Sequence, residues 1–284
     1  MTEEVKQYGV GKTSFSEIKR ELGRYLGVEN SKREQVIALV NDFFGVKNSD
    51  GRLKKLGELG LLLAGGAINS IYSGRKVNDL DFYIKDTEYL ADAKAYFTET
   101  LGEPVQESPN AITYKRTSGK NKYEVQLITR FSGTPRQILD TFDFTIVQGC
   151  YDFSTQSFVL DDKFLPDIAA RVLRYTSSSH YPICALIRTK KYQDRGYHFT
   201  NSCRLAISFA INRLDLTTYK NLKEQLLGID TTFLRGFLET LDDDQELSDQ
   251  ERMEFIEVCC TMIDNQVTKI FGLTNDGDSE KIDD

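Results

Sequence analysis

Apolar residues recur at three- and four-residue intervals over the first 58 positions. Ile18, Leu22, Tyr25 and Leu26 form one series, and Val36, Ile37, Leu39, Val40, Phe43 and Phe44 form another. Capping-box spacing precedes each, as Ser14-Phe15-Ser16-Glu17 and Ser31-Lys32-Arg33-Glu34, so this stretch predicts helix with a second start signal. The texture then changes. Leu61-Leu62-Leu63-Ala64 is a short apolar run, as in a buried strand, and it leads into Gly65-Gly66. A small helix is predicted at 67–72, a strand at 80–84 and a helix at 87–101. Paired strands follow at 111–116 and 122–129 around the turn Ser118-Gly119-Lys120, then a helical turn at 135–139 and a strand at 144–151. Strand, helix and strand in this order imply an α/β or α+β core over about 59–160. Helical spacing returns from about 164, with candidates at 167–173, 182–195, 202–213, 219–227, 232–241 and 250–270. The expected division is 1–58 as a helical segment, 59–163 as the core, 164–275 as a helical domain and 276–284 as an acidic tail.

Composition narrows the class. With 40% hydrophobic and 28% charged residues, the 284-residue chain matches a soluble globular protein. It has no apolar run of the roughly 18 residues that a membrane span needs, so no membrane partner is expected. Its polar start, Met1-Thr2-Glu3-Glu4, is unlike a signal or transit peptide. Five cysteines, with no C-x-x-C pair, fit a reduced, cytoplasmic setting. A net charge of −7 argues against broad, salt-driven binding to nucleic acid.

The chemistry concentrates between Leu61 and Ile84. A strand delivers the chain to two glycines, which let a backbone approach a bulky anion closely. A helix N-terminus just after them offers free N–H groups to phosphate. The next strand carries Asp79 and Asp81 at i and i+2, so they share one face while Leu80 and Phe82 share the other. Paired carboxylates attract Mg²⁺, which favours oxygen ligands and substrate phosphates. Two ions roughly 3.5–4 Å apart can activate an attacking hydroxyl and stabilise the leaving oxygen. Gly65 and Gly66, with Asn69 or Ser70, are expected to hold a triphosphate, and Arg75 and Lys76 lie close by in sequence.

Gly65-Gly66, Gly74-Arg75 and Asp79-Leu80-Asp81 together resemble the head motif of the polymerase-beta-like nucleotidyltransferases, and above all of CCA-adding enzymes and poly(A) polymerases. Tyr123-Glu124-Val125 with Arg130 resembles that family's later strand, which supplies a third acidic group. Asp143-Phe144-Thr145-Ile146 resembles its nucleotide-site motif, and 182–197 resembles its neck helix. The resemblance implies an α+β fold: a mixed-sheet nucleotidyltransferase head flanked by an N-terminal helical arm and a C-terminal helical domain. It implies Asp79 and Asp81 as metal ligands for Mg²⁺ or Mn²⁺, with a third catalytic carboxylate completing the cluster, either Glu124 as a further metal ligand or Asp143. The substrate is then a nucleoside triphosphate, ATP first among them, and the acceptor class includes an RNA 3′ end such as tRNA.

This sequence also departs from the pattern. The family's Arg-Asp after the glycines is Asn69-Ser70, its Arg-Arg before the Asp-Phe-Thr segment is Thr141-Phe142, and no Glu-Asp-x-x-Arg base-reading element is visible. These changes point away from CCA addition itself. They leave NMP transfer to protein, small molecule or nucleotide, and an inactive nucleotide-binding protein, as alternatives. Arg188, Lys190, Lys191 and Arg195, near Tyr192 and Tyr197, form a basic helical stretch suited to a triphosphate or an acceptor. Gly9-Val10-Gly11-Lys12-Thr13 lacks both the earlier glycine and the leading strand of a phosphate loop. His180 and His198 lie away from any cysteine cluster, which disfavours zinc.

Overall fold

The computed structural model describes residues 15–45, 50–118, 121–226, 238, 241–243 and 245–271. Ser14, the turn residues Gly119 and Lys120, most of the helix expected at 232–241, the acidic tail and the Gly9–Thr13 stretch lie outside the described residues. The architecture is α+β with a mixed sheet, as the sequence implies. Two compact units are present, one of residues 1–139 and 147–161, the other of residues 140–146 and 162–284.

In the first unit, α1 (Phe15–Phe44) and α2 (Asp50–Glu58) precede β1 (Leu61–Ala64). Then come α3 (Gly66–Ser73), β2 (Asp79–Ile84), α4 (Leu90–Leu101), β3 (Gln106–Glu107), β4 (Ala111–Ser118) and β5 (Asn121–Ser132). The set ends with α5 (Pro135–Leu139), β6 (Gly149–Asp152) and β7 (Ser157–Leu160). The seven strands form one sheet in the order β3-β4-β5-β2-β1-β6-β7. Among the described residues of this sheet, β2 and β5 are the one parallel pair.

Alternation along β2 and β5 gives this sheet two unlike faces. On one face Leu80, Phe82, Val125 and Leu127 are buried. Phe44 of α1 and Phe97 of α4 meet Phe82 edge-on, with ring centroids 5.8 and 5.3 Å away. The C-terminus of α1 is tied to the sheet by Arg116, whose Nε donates to the Phe43 carbonyl at 2.9 Å. A cation suits that end of a helix dipole. The opposite face carries Asp79, Asp81, Glu124 and Gln126.

Three local expectations are corrected. Ser31–Glu34 does not start a new helix, because α1 runs unbroken through it. There Lys32 instead reaches the Ile71 carbonyl of α3, with its Nζ at 2.8 Å. The stretch 144–151 is not one strand but a 3-10 turn at Thr145–Val147 followed by β6. Phe144 makes only an isolated bridge to Tyr175, and the Thr145 N–H donates to the Arg174 carbonyl at 3.1 Å. The helix expected at 167–173 is α6 (Phe164–Ala170), ended by Arg171 in the left-handed conformation and followed by β8 (Val172–Leu173).

The second unit continues with α7 (Pro182–Asp194), β9 (His198–Phe199), α8 (Asn201–Asn212), α9 (Tyr219–Leu226) and α10 (Asp249–Phe271). Leu222, Leu226, Leu238, Leu247, Phe255 and Cys259 form one of its buried clusters. No helix among the described residues is long and apolar enough to cross a membrane.

Candidate active site

The first unit places its candidate residues where two neighbouring strands end. β1 is buried throughout, as its unbroken apolar run requires. Ala64, its last residue, lies opposite Asp81 of antiparallel β2. Paired strands are about 4.8 Å apart. The Gly65-Gly66 turn is therefore the immediate neighbour of Asp79-Leu80-Asp81.

Gly65 has φ 74° and ψ −127°, a backbone region that side chains disfavour. Its N–H donates to the Gly149 carbonyl at 3.1 Å, and its carbonyl accepts the Asn69 N–H at 3.0 Å. The turn is thus fixed to β6 on one side and to α3 on the other. The first N–H groups of α3 have no intrahelical partner, and no acidic side chain lies in its first turn. A Cβ placed on Gly66 would meet no atom within 4 Å. At its other end α3 closes on Gly74 in the left-handed conformation, with Gly74 and Arg75 N–H groups satisfying the Ile71 and Ser70 carbonyls.

Asp79 is exposed and Asp81 half-buried, while Leu80 and Phe82 are fully buried beneath them. Parallel pairing sets Asp79 beside Glu124 and Asp81 beside Gln126. Across the β4–β5 hairpin, Lys115 stands beside Glu124 and Thr113 beside Gln126. Residues in register share a face, so this face carries two rows. One is Lys115, Glu124 and Asp79; the other is Thr113, Gln126, Asp81 and Ala64. Glu124 Oε1 accepts from Gln126 Nε2 at 2.9 Å, and its Oε2 is 3.2 Å from Lys115 Nζ.

The remaining candidates of this unit differ in access. Asn69 is fully buried and Ser70 nearly so. The Ser73 hydroxyl donates to the Asn69 carbonyl at 2.6 Å and lies 3.4 Å from Asn69 Oδ1. Arg75 is half-buried and Lys76 exposed in the α3–β2 loop, just after Gly74.

Asp143 and the basic helix belong to the second unit. Asp143 is 5% exposed. Its Oδ1 accepts from the Ser179 hydroxyl at 2.7 Å, and its Oδ2 pairs with Arg188 Nη1. Burial works against the Arg188 charge, but the adjacent Asp143 carboxylate outweighs it and raises the guanidinium's pKa above its ordinary value. Tyr192 is buried, with its ring 5.3 Å from that of Phe144. Burial pushes its phenol up to about 12, against the opposing charge of Arg188. Lys191 is exposed. A neighbouring carboxylate, Asp167, is held bidentately by Arg174 at 2.9 and 3.1 Å and accepts from the Thr145 hydroxyl at 2.6 Å. The Asp143–Thr145 segment is thus built into the second unit through two separate acid–arginine pairs.

Asp79 and Asp81 offer hard oxygen donors on an accessible strand face. Among the described residues, no three His, Cys, Asp or Glu side chains form a metal-holding group. Mg²⁺ needs no such cage, since it commonly takes one or two carboxylates together with substrate phosphates and water. The donor set fits that mode of binding. Lys115 and Ser179 are partners that the sequence reading passed over, whereas Gln126, two residues after Glu124, is expected on the same strand face. The pairing of Ser118 with Asn121 across β4 and β5 is what sets Lys115 opposite Glu124.

The model of the Gabija anti-defense 2 family matches residues 31–171. A Bacillus phage SPbetaL7 protein named Gabija anti-defense 2 is 31% identical over 170 residues, which is 59% of this chain and 41% of that protein. This chain therefore spans about two fifths of that relative's length. Among solved structures, a CCA-adding enzyme in apo form I is 17% identical with a TM-score of 0.45, over 66% of this chain and 49% of that one. A tRNA nucleotidyltransferase complexed with a primer tRNA and an incoming ATP analogue is 18% identical with a TM-score of 0.42, over 62% and 54%. The order of strand, Gly-Gly, helix and D-x-D strand, by which the sequence resembles polymerase-beta-like nucleotidyltransferases, is present in the first unit. Over residues 31–171, which include that whole motif, the chain is similar to the Gabija anti-defense 2 family.

Proposed function

We propose that the chain is a metal-dependent nucleotidyltransferase, moving an NMP group from an NTP to an acceptor hydroxyl. One observation carries this reading: the β1–β2 pairing sets the Gly65-Gly66 turn beside Asp79 and Asp81 on the accessible sheet face. The glycine turn and the first N–H groups of α3 hold the phosphates. Asp79 and Asp81 hold Mg²⁺ or Mn²⁺. A bound ion would supply charge neutralisation at the phosphate oxygens and lower the pKa of the acceptor hydroxyl. The acceptor hydroxyl gives up its proton to solvent, its oxygen forms a bond to the α-phosphorus, the α–β phosphoanhydride bond breaks, and pyrophosphate leaves with the electron pair. Positioning and charge placement supply most of the rate, and no histidine base is required. ATP is the first substrate to test.

The phage relative's name sets a context of countering a defence system, and we adopt that context for this chain. A protein, small molecule or nucleotide acceptor suits it better than a tRNA 3′ end. The net charge of −7 and the departures at Asn69-Ser70 and Thr141-Phe142 support the same preference. The test incubates the protein with labelled NTPs, Mg²⁺ or Mn²⁺, and separate pools of RNA, lysate protein and nucleotides. Label should move to one pool, and Asp79→Ala and Asp81→Ala should each abolish the transfer. Undiminished transfer by both variants sinks the assignment.

A second reading, nucleotide binding without turnover, draws on Glu124. Both of its oxygens already have partners, so Glu124 is held by Gln126 and Lys115 instead of being offered to a metal. Stoichiometric nucleotide retention with no pyrophosphate release would select it.

A further inference from the structure

Lys115 and Glu124 are not explained by the D-x-D alone. In the row Lys115, Glu124 and Asp79, two carboxylates stand directly side by side on parallel strands. Like charges so placed repel. Lys115 Nζ, 3.2 Å from Glu124 Oε2, offsets that repulsion. The other Glu124 oxygen accepts from Gln126 Nε2. That amide is a donor, and it stands in the row of Asp81. A donor there takes up the lone pairs that a second divalent ion would need. The Lys115 and Glu124 side chains are 60% and 34% exposed. A pair that open to solvent adds little to stability. Its effect lies in where it places charge.

We infer that Lys115 is a built-in cation of this face: it keeps Glu124 out of metal coordination, so that the free protein binds a single divalent ion through Asp79 and Asp81, with the Lys115 ammonium as the second positive charge toward the triphosphate. The inference rests on the metal-binding reading of Asp79 and Asp81. Lys115 is a positioning residue in this scheme, and Glu124 is its anchor, not a ligand.

Mn²⁺ titration of the full chain without nucleotide, followed by the electron paramagnetic resonance of the free ion, tests this. The wild type and Lys115→Arg should bind a single ion alike. Lys115→Gln should release Glu124, so that the variant gains a second ion or binds the first about tenfold more tightly, because a nearby positive charge is removed and a carboxylate is freed. Glu124→Gln should keep the first ion at wild-type affinity, whereas Asp79→Ala should lose it. Two equal ions in the wild type, loss of the ion in Glu124→Gln, or Lys115→Gln matching the wild type would each overturn the inference while leaving the nucleotidyltransferase reading intact. No Mn²⁺ binding by the wild type would overturn both. Thermal unfolding of every variant should stay near that of the wild type, since the side chains exchanged lie on an open sheet face.

Discussion

Asp79 and Asp143 are both aspartates beside apolar residues, and the protein treats them in opposite ways. Asp79 sits at the start of β2, exposed, with a second carboxylate beside it in register. Asp143 is buried in the other unit, with one oxygen on the Ser179 hydroxyl and the other on Arg188. A carboxylate with both oxygens committed to donors has little left to offer an incoming cation. One held next to a like charge gains from receiving one. The difference is one of counter-charge: Asp143 has Arg188 directly on it, whereas Asp79 stands beside Glu124, whose cation is Lys115.

The largest expected effect separates activity from stability. Asp79→Ala should reduce transfer at least about 10³-fold, equivalent to about 4 kcal/mol in the barrier. Its unfolding free energy should hold steady or rise slightly, because a repulsion with Glu124 is relieved. Asp143→Ala should behave in the reverse manner, with unfolding made easier by about 3 kcal/mol as Arg188 loses the Asp143 carboxylate. That figure is at the low end for a buried pair because the Arg188 side chain is 40% exposed. Urea unfolding beside an initial-rate assay checks both variants. A stable Asp143→Ala protein, or an unstable Asp79→Ala one, would break the contrast.

Much of the first unit can be read from its sequence because the signals there are local. Leu61–Ala64 is an apolar run too short for a helix, and it becomes a buried interior strand between β2 and β6. Gly65 marks a backbone conformation that side chains avoid. Asp79 and Asp81 at i and i+2 share a face on any strand. The Asp143 segment misleads because its partners are remote in sequence. Phe142-Asp143-Phe144 has the look of a strand, yet Ser179 and Arg188, 36 and 45 residues away, fix it. No local pattern announces such partners. The second helix start at Ser31 fails for a related reason: Lys32 finds its partner 39 residues on, and α1 simply continues.

A third carboxylate sharpens the comparison from within the first unit. Asp152 ends β6 nearly buried, with Lys85 Nζ at 2.5 Å and the Ser154 hydroxyl at 2.7 Å. Burial alone would raise its pKa, but the Lys85 and Ser154 hydrogen bonds and the Lys85 charge outweigh it, and the pKa is lowered. A lowered carboxyl pKa contributes stability above its unfolded value of about 3.9, and that contribution is lost as pH falls through the folded value. Lys85→Met should therefore be about 2 kcal/mol less stable than the wild type at neutral pH. The gap should close below about pH 4, once the unfolded and then the folded carboxyl protonate. Urea midpoints at both pH values decide this, and a gap unchanged by acid would count against the pair.

The smallest stability effect tests the open face most finely, because Gly65 and Gly66 adjoin the same carboxylates for different reasons. Gly65→Ala forces a side chain into φ 74°, ψ −127°, so about 1–3 kcal/mol of stability should be lost. Gly66 has no such strain, and a Cβ there meets open space. Gly66→Ala should change stability by no more than about 0.5 kcal/mol. If phosphate oxygens lie against that backbone, however, the added methyl occupies their place. Triphosphate affinity, measured by calorimetry with Mg²⁺, should then fall in a protein that is otherwise as stable as the wild type. Full affinity in Gly66→Ala would move the phosphates away from the start of α3 and leave Asp79 and Asp81 without the anion cradle beside them.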